Sequence, residues 1–290
     1  MAGELITADW QIDWNGFLLG AGSLYDVVRV DGWIDSPGLT NGAAPKPTRR
    51  GSWPGPVRAQ ARTVTATLEI GAGSSMGDAI AALRAATPVS RTGTQAPLAI
   101  RTSGQTLVAN AVFGGRIVPV DQPYSMGFAQ HATVQWWCAD PVLLELTPRT
   151  VTIIPGTSGS GGLTYPLTYP LDYGTAGAPA NATCRNYGNE PTSPVLVFTG
   201  PLTTPRVINT TLGYSLEFGL DLLAGQTLTI DTDAGTVLLN GTTDRLYTRS
   251  NLSVPVEYFE LDPGDNNLQL LAAAFGPGAQ LQVTWKSAYL

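Results

Sequence analysis

Charge is scarce in this 290-residue chain: 13% of its residues are Asp, Glu, Lys or Arg, against 43% hydrophobic. The balance is acidic, at −6, and no basic run is longer than Arg49-Arg50. A nucleic-acid-binding surface, which needs a basic stripe to displace counterions, is therefore excluded. Lysine is almost missing, with Lys46 and Lys286 set against 14 arginines; with the abundant Ala and Gly, this reads as coding from a GC-rich genome. Histidine occurs once, at His131. A Ser-His-Asp or Cys-His centre would depend on that residue, and no G-x-S-x-G elbow accompanies it. The chain lacks C-x-x-C and H-E-x-x-H, which argues against zinc. It also lacks a P-loop and a G-x-G-x-x-G, since Gly71 and Gly73 have no third member. No apolar run approaches the roughly 18 residues a membrane helix needs. Met1 to Trp10 carries Glu4 and Asp9 without a basic n-region or an apolar h-region, so synthesis in a cytoplasm and a soluble product are expected. Cys138 and Cys184 are the only cysteines, and a reducing compartment predicts buried free thiols. No catalytic, cofactor-binding or metal-binding residue is assigned, and no enzyme activity is expected.

What is abundant is Gly, 33, and Pro, 22, which with frequent Thr favours strands and turns. The most distinctive stretch is Gly162 to Gly174, GLTYPLTYPLDYG, in which Leu163, Leu167 and Leu171 each open a Leu-x-Tyr unit. Pro166 and Pro170 fix their own φ and push Tyr165 and Tyr169 towards extended geometry. An extended, semi-rigid strap is predicted. Glycines and serines precede it, and the organisation expected is a first domain over 1–154, a linker over 155–180 and a second domain over 181–290. The strap packs against either domain or runs free. Its tyrosines suit docking against their own or a neighbouring subunit better than stacking on sugars.

In the first domain, Val64, Ala66, Leu68 and Ile70 alternate with Thr63, Thr65, Thr67 and Glu69, a half-buried strand. Ser75 is the expected N-cap of one helix, with Asp78 in its first turn and Met76, Ile80 and Leu83 on one face. Strands follow at Pro97 to Arg101 and Thr106 to Val120, with Gly114-Gly115 marking a bulge or bend. From Phe128 to Cys138 the pattern places Phe128, Ala132, Val134, Trp136 and Cys138 on one face and His131, Thr133, Gln135 and Trp137 on the other. The proline-rich Gly38 to Pro56 stretch, with Lys46, Arg49 and Arg50, reads as a long contact loop. The first domain is α+β, mainly antiparallel sheet with one helix.

The second domain shows about eight short strands at roughly ten-residue spacing: Pro194 to Thr199, Arg206 to Asn209, Tyr214 to Phe218, Gln226 to Asp231, Val237 to Leu239, Val256 to Leu261, Asn267 to Leu271 and Gln280 to Trp285. Hairpin turns are expected at Asp233-Ala-Gly235 and Asn240-Gly241. This is a β-sandwich or jelly-roll pattern. Asp231-Thr-Asp233-Ala-Gly235 looks like the start of a calcium loop, but position 242 is Thr where an EF-hand needs an acid, so a hairpin turn is preferred. Asp262 to Asn267 is a turn before it is an ion site. Paired carboxylates, sufficient for a glycosidase, are not marked by any motif.

In order, Asn15-Gly-Phe17, Asp31-Gly32, the RRGSWPG loop from Arg49 to Gly55, the alternating strand, the capped helix and Cys138-Ala-Asp-Pro141 resemble the distal tail proteins of long-tailed, non-contractile bacteriophages. Asn186-Tyr-Gly-Asn189, Pro194 to Gly200 and the Leu261 to Asn266 turn resemble the second domain of that family. The strap is similar to those of phages of actinobacteria. The resemblance implies a mainly β protein: a ring-forming first domain and a galectin-like or jelly-roll sandwich projecting outwards. It implies a homohexamer in the virion tail, joining the tail tube to the tip or baseplate. Its neighbours would be the tube protein, the tape measure and tail-tip proteins, with no nucleic-acid or membrane partner. A head-to-tail ring needs two different complementary surfaces per protomer, and the Gly38 to Pro56 loop is the expected contact. The alternative is a carbohydrate-binding adhesin module, using Tyr247, Tyr258 or Trp285 on host cell-wall sugars.

Overall fold

The computed structural model describes residues 3–71, 75–156 and 180–290, and the Tyr-Pro strap lies outside them. The chain divides into two compact units, residues 1–146 with Tyr289 and Leu290, and residues 147–288.

The first unit contains strands β1 (Ile12–Trp14), β2 (Phe17–Leu19), β3 (Tyr25–Asp31), β4 (Leu39–Asn41), β5 (Ala44–Pro45), β6 (Ser52–Trp53), β7 (Val57–Ala59), β8 (Arg62–Ile70), β9 (Ala96–Thr102), β10 (Gln105–Ile117), β11 (Ala129–Cys138) and β12 (Leu143–Glu145). Helix α1 spans Met76–Ala86 and the short α2 Gln122–Ser125. The main sheet runs β2-β1-β9-β10-β11-β8-β3, all antiparallel, with β12 also paired to β10. The long β10 serves two partners in turn: Gln105 to Ala111 pairs with β9 and Val112 to Ile117 with β11. The register slips between Phe113 and Gly115, so the expected irregularity at Gly114 is a bulge. Strand β8 buries Val64, Ala66, Leu68 and Ile70 as its alternation requires, and Met76, Ala79, Ile80 and Leu83 of α1 close over the same core.

Two details of β11 differ from the sequence pattern. The strand begins at Ala129, not Phe128, and its register shifts between Ala129 and Ala132. His131 occupies that bulge with φ of 54° and an exposed side chain. The extra residue resets the alternation, so Ala129 and Ala132 both face the core although three positions apart. Beyond it the pattern holds: Trp136 and Cys138 are buried and Trp137 is exposed.

The second unit contains β13 (Arg149–Ile153), β14 (Asn181–Asn186), β15 (Val195–Thr199), β16 (Leu202–Thr203), β17 (Arg206–Asn209), β18 (Tyr214–Glu217), β19 (Asp221–Leu222), β20 (Thr227–Asp231), β21 (Thr236–Leu239), β22 (Thr243–Asp244), β23 (Gly264–Leu271), β24 (Ala274–Phe275) and β25 (Gln280–Trp285). A six-stranded sheet, β13-β25-β15-β20-β21-β22, and a four-stranded sheet, β14-β23-β17-β18, enclose one core, and a small sheet β19-β16-β24 completes the unit. The inward residues alternate strand by strand, among them Leu196 and Phe198, Leu228 and Ile230, Leu281 and Val283. The β20–β21 and β21–β22 connections are hairpins at the two expected turns.

The domain boundary falls earlier than position 154. Strand β13 pairs along its length with β25, so Arg149 to Ile153 opens the second unit. Alternation identifies a strand but carries no information about which sheet receives it. Val256 to Leu261, read as a strand, instead contains a 3-10 turn over Val256–Tyr258. Val256 and Phe259, three apart, both enter the core, as one turn of 3-10 helix requires and a strand forbids.

A single buried amide pins the start of the sandwich. Asn186 Nδ2 donates to the carbonyls of Glu190 (2.7 Å) and Leu261 (3.1 Å), while Oδ1 accepts from the N–H of Gly188 (3.0 Å) and Ala288 (3.3 Å). Gly188 must be glycine, because a Cβ there would overlap the Ala288 carbonyl. Asn266, equally buried, donates to the Asp262 carbonyl at 2.7 Å and accepts the Asp262 N–H at 3.1 Å, closing the Asp262 to Asn266 turn.

Both thiols are free and buried; burial pushes Cys138 up to about 11 and Cys184 up to about 12, with Arg62 partly opposing the shift at Cys138. The thiolate is the nucleophile. Alkylation by iodoacetamide near pH 8 should therefore leave both cysteines unmodified in the native protein and label both in denaturant, read by intact mass.

Candidate functional site

The Gly38 to Pro56 stretch is not an open loop. It folds as a two-stranded arm: Leu39, Thr40 and Asn41 pair with Ala59, Arg58 and Val57, and Ala44 and Pro45 with Trp53 and Ser52. Four prolines suggested irregular chain, but each strand of a two-stranded ribbon has a free edge, where a missing N–H costs no ladder bond. The ladder continues through the Gly42 N–H to the Pro56 carbonyl (3.2 Å) and the Lys46 N–H to the Gly51 carbonyl (3.1 Å). Gly55 allows the two strands to approach, since a Cβ would overlap the Gly42 carbonyl.

The root of the arm is set by Arg62, which is 2% exposed at the start of β8. Its Nη1 donates to the carbonyls of Gly32 (2.9 Å), Trp33 (2.6 Å) and Asp35 (2.8 Å), and its Nε to that of Pro141 (2.9 Å). Burial lowers the guanidinium pKa, and electrostatic coupling to Cys138 and Asp35 opposes that shift. Gly32, at φ of 77°, lies so close to β8 that a Cβ would overlap the Thr63 carbonyl.

The arm exposes apolar surface. Leu39 and Val57 stand on one face of the ribbon and are both exposed, and Trp53 is 62% exposed. Lys46 Nζ lies 4.8 Å from the centroid of the Trp53 ring, a cation–π contact worth about 0.5–1 kcal/mol at an exposed site. Lys46, Arg49, Arg50 and Arg58 lie on the arm, and no acid occurs between Ser36 and Gln60. The arm therefore carries +4 in a chain of −6, which leaves −10 on the remainder. Such a surface combines exposed apolar area with positive charge.

On the second unit, Tyr247 and Tyr258 are 76% and 67% exposed. Arg245 reaches the Tyr247 hydroxyl at 3.1 Å. Trp285 does not join them as an exposed aromatic. It is 6% exposed, and its indole N–H donates to the Arg185 carbonyl at 3.0 Å. The reason was present in the sequence, because Trp285 is in phase with the core residues Leu281 and Val283 on β25. Asp231 accepts the N–H groups of Asp233 and Ala234 at 3.0 Å each, a self-satisfied hairpin turn. Among the described residues no group of three or more His, Cys, Asp or Glu is placed to hold a metal ion.

Residues 187–289 match the family model of the siphovirus-type tail component, C-terminal domain. A comparison with curated protein sequences finds no match. Among solved structures, the crystal structure of the Dit (gp 19.1) protein of phage SPP1, described as a paradigm of the hub adsorption apparatus of phages infecting Gram-positive hosts, is similar at a TM-score of 0.68. The identity is 13%, over 97% of this chain and 99% of that one. The likeness is one of fold and spans both units. Two baseplate structures of phage P2 in its activated conformation, with Ca and with Sr, are similar at TM-scores of 0.48 and 0.49 and 11% identity, over 94% of this chain and 96% of those.

Of the acidic side chains in the second unit, Glu260 stands apart. Burial raises its pKa, and the neighbouring Asp262 and Glu190 carboxylates raise it further. A carboxyl group whose folded pKa is raised destabilises the fold progressively as pH climbs from the unfolded value, about 4.3, through the folded one. Glu260→Gln should therefore raise the melting temperature near pH 7 and change it much less near pH 4, measured by calorimetry.

Replacing Arg62 with Met keeps the apolar stem but leaves the arm-root carbonyls without their donor. A loss of about 3 kcal/mol is expected, seen as a fall of roughly 10 °C in the melting temperature of the first unit.

Proposed function

We propose that this chain is a structural protein of a siphovirus tail, a distal tail protein with no catalytic role. The observation that carries the reading is the combination of a fold shared with SPP1 Dit across nearly the whole chain and a family match over 187–289. In this reading six copies form a ring through the first unit, joining the tail tube to the tip or baseplate, and the sandwich projects outwards. Its neighbours are the tube, tape-measure and tip proteins, and its location is the virion tail. The arginine-over-lysine bias supports an actinobacterial host.

The arm supports the ring. A head-to-tail interface requires a donor surface and a different acceptor surface on each protomer. An exposed Trp flanked by basic residues has the composition of an interface anchor. The −10 carried by the rest of the chain makes a second copy electrostatically suited to receive it. A second reading, sugar binding by the sandwich, is favoured by the exposed Tyr247 and Tyr258, and is compatible with the first.

Light scattering of the purified protein should give six times 30.5 kDa, about 183 kDa, with ring-shaped particles in negative stain. The triple variant K46E/R49E/R50E should reduce the ring fraction at least about tenfold without unfolding the protein. A particle that stays monomeric even with the tail-tube protein present would rule the ring out. Host cell-wall pull-down by the wild type that is lost in Tyr247→Ala/Tyr258→Ala would establish the sugar reading as well.

A further inference from the structure

A solvent-open groove of about 590 Å³ lies in the first unit at the C-terminal end of α1. Trp14, Phe113 and Pro88 supply its apolar lining, and Ser90, Thr92 and Arg91 part of its polar lining. Trp14 is held in place by its indole N–H, which donates to the Ala86 carbonyl at 3.1 Å. The shape is therefore tied to the helix end and the sheet, both of which belong to the core.

One guanidinium lines the groove and two more stand near this end of α1. Arg91 lines the groove, and Arg116 stands 6.0 Å over the Phe113 ring while donating to the Thr87 carbonyl and hydroxyl. Arg84, in the last turn of α1, lies close enough to Arg116 that, after burial, its charge is the next influence lowering the Arg116 pKa. No acid occurs anywhere between Ala79 and Val120. Arg101, the fourth arginine of that stretch, is paired with Asp9 at 3.2 Å. The carboxylate of Asp13, beside Trp14 in sequence, is buried and accepts the N–H groups of Gly3 and Gly16, each at 2.8 Å. Among the described residues none of Arg84, Arg91 and Arg116 forms an ion pair. In an acidic chain this is a concave, partly apolar surface bordered by positive charge, a combination that favours an acidic over a basic occupant.

We propose that this groove is the docking site for an extended acidic segment of a partner protein, whose carboxylates meet the guanidiniums while an apolar side chain packs on Trp14 and Phe113. Arginine presents a planar fork that matches a carboxylate. The hydroxyls of Ser90 and Thr92 offer further donors. The inference rests on the groove alone and is independent of ring formation.

The test is fluorescence anisotropy of a fluorescein-labelled peptide alternating Glu and Phe, titrated with the full-length protein. Saturable binding is expected, weakened at least about tenfold in R84E/R91E and similarly at about 0.5 M salt, where charge pairs are screened. Both arginines are exposed, so the variant should stay folded, with only a small fall in melting temperature from the acid placed in the last turn of α1. The proposal is overturned if no saturable binding occurs, if the variant binds the peptide equally, or if a peptide with Lys in place of Glu binds as well. It is also overturned if R84E/R91E abolishes self-association of the protein without peptide, which would assign the groove to a second copy.

Discussion

The buried Arg62 guanidinium, donating to four backbone carbonyls, determines how the first unit presents its arm. A charge inside a core is costly unless it is hydrogen-bonded. Arg62 makes four such bonds through Nε and Nη1, while its buried Nη2 has no partner. The guanidinium needs the carbonyls of Gly32, Trp33 and Asp35, and the turn they belong to cannot pair those groups within a ladder. The result is a hydrogen-bonded exit from β3 into a ribbon that is exposed almost throughout. Positioning an exposed Trp and four positive charges on a two-stranded ribbon would otherwise be unfavourable, because an isolated hairpin is marginal in water.

The second unit solves the corresponding problem with neutral groups. Asn186 satisfies both ends of its amide against four backbone partners, drawing together residues far apart in sequence. The edge of the four-stranded sheet is treated similarly. Ser250 and Val254 donate their N–H groups to the carbonyls of Glu217 and Ser215, so the segment after β22 covers β18. A bare β18 would offer a template for unintended pairing. In a protein proposed to assemble, restricting which edges remain available is as important as supplying the intended contact.

The function proposed here resides in surfaces and needs no perturbed catalytic group. Nearly all perturbed ionisation reflects burial: two thiols, one tyrosine, two arginines and Glu260. Among the described residues none of these groups belongs to a cluster placed to hold a metal ion. The arm and the α1 groove each combine apolar area with positive charge, yet they differ in shape. The arm is a projecting ribbon, proposed to enter a partner's recess, whereas the groove is concave and proposed to receive a chain.

The sequence by itself determined the strands and the helix whose periodicity is local: β8 with its buried Val64 to Ile70 face, α1 with Met76, Ile80 and Leu83, and the paired turns around Gly235 and Gly241. It also determined the two-part, mainly β organisation, because alternation and turn spacing depend only on neighbouring residues. Tertiary structure decided everything that rests on distant pairing. It assigned β13 to β25 and so moved the boundary, it turned a proline-rich loop into a ribbon, and it buried Trp285. It also placed Arg62, in phase with Val64 on β8 yet charged, among carbonyls contributed by residues about 30 and about 80 positions away. A period of two states which way a side chain points; only the folded chain supplies what it meets there.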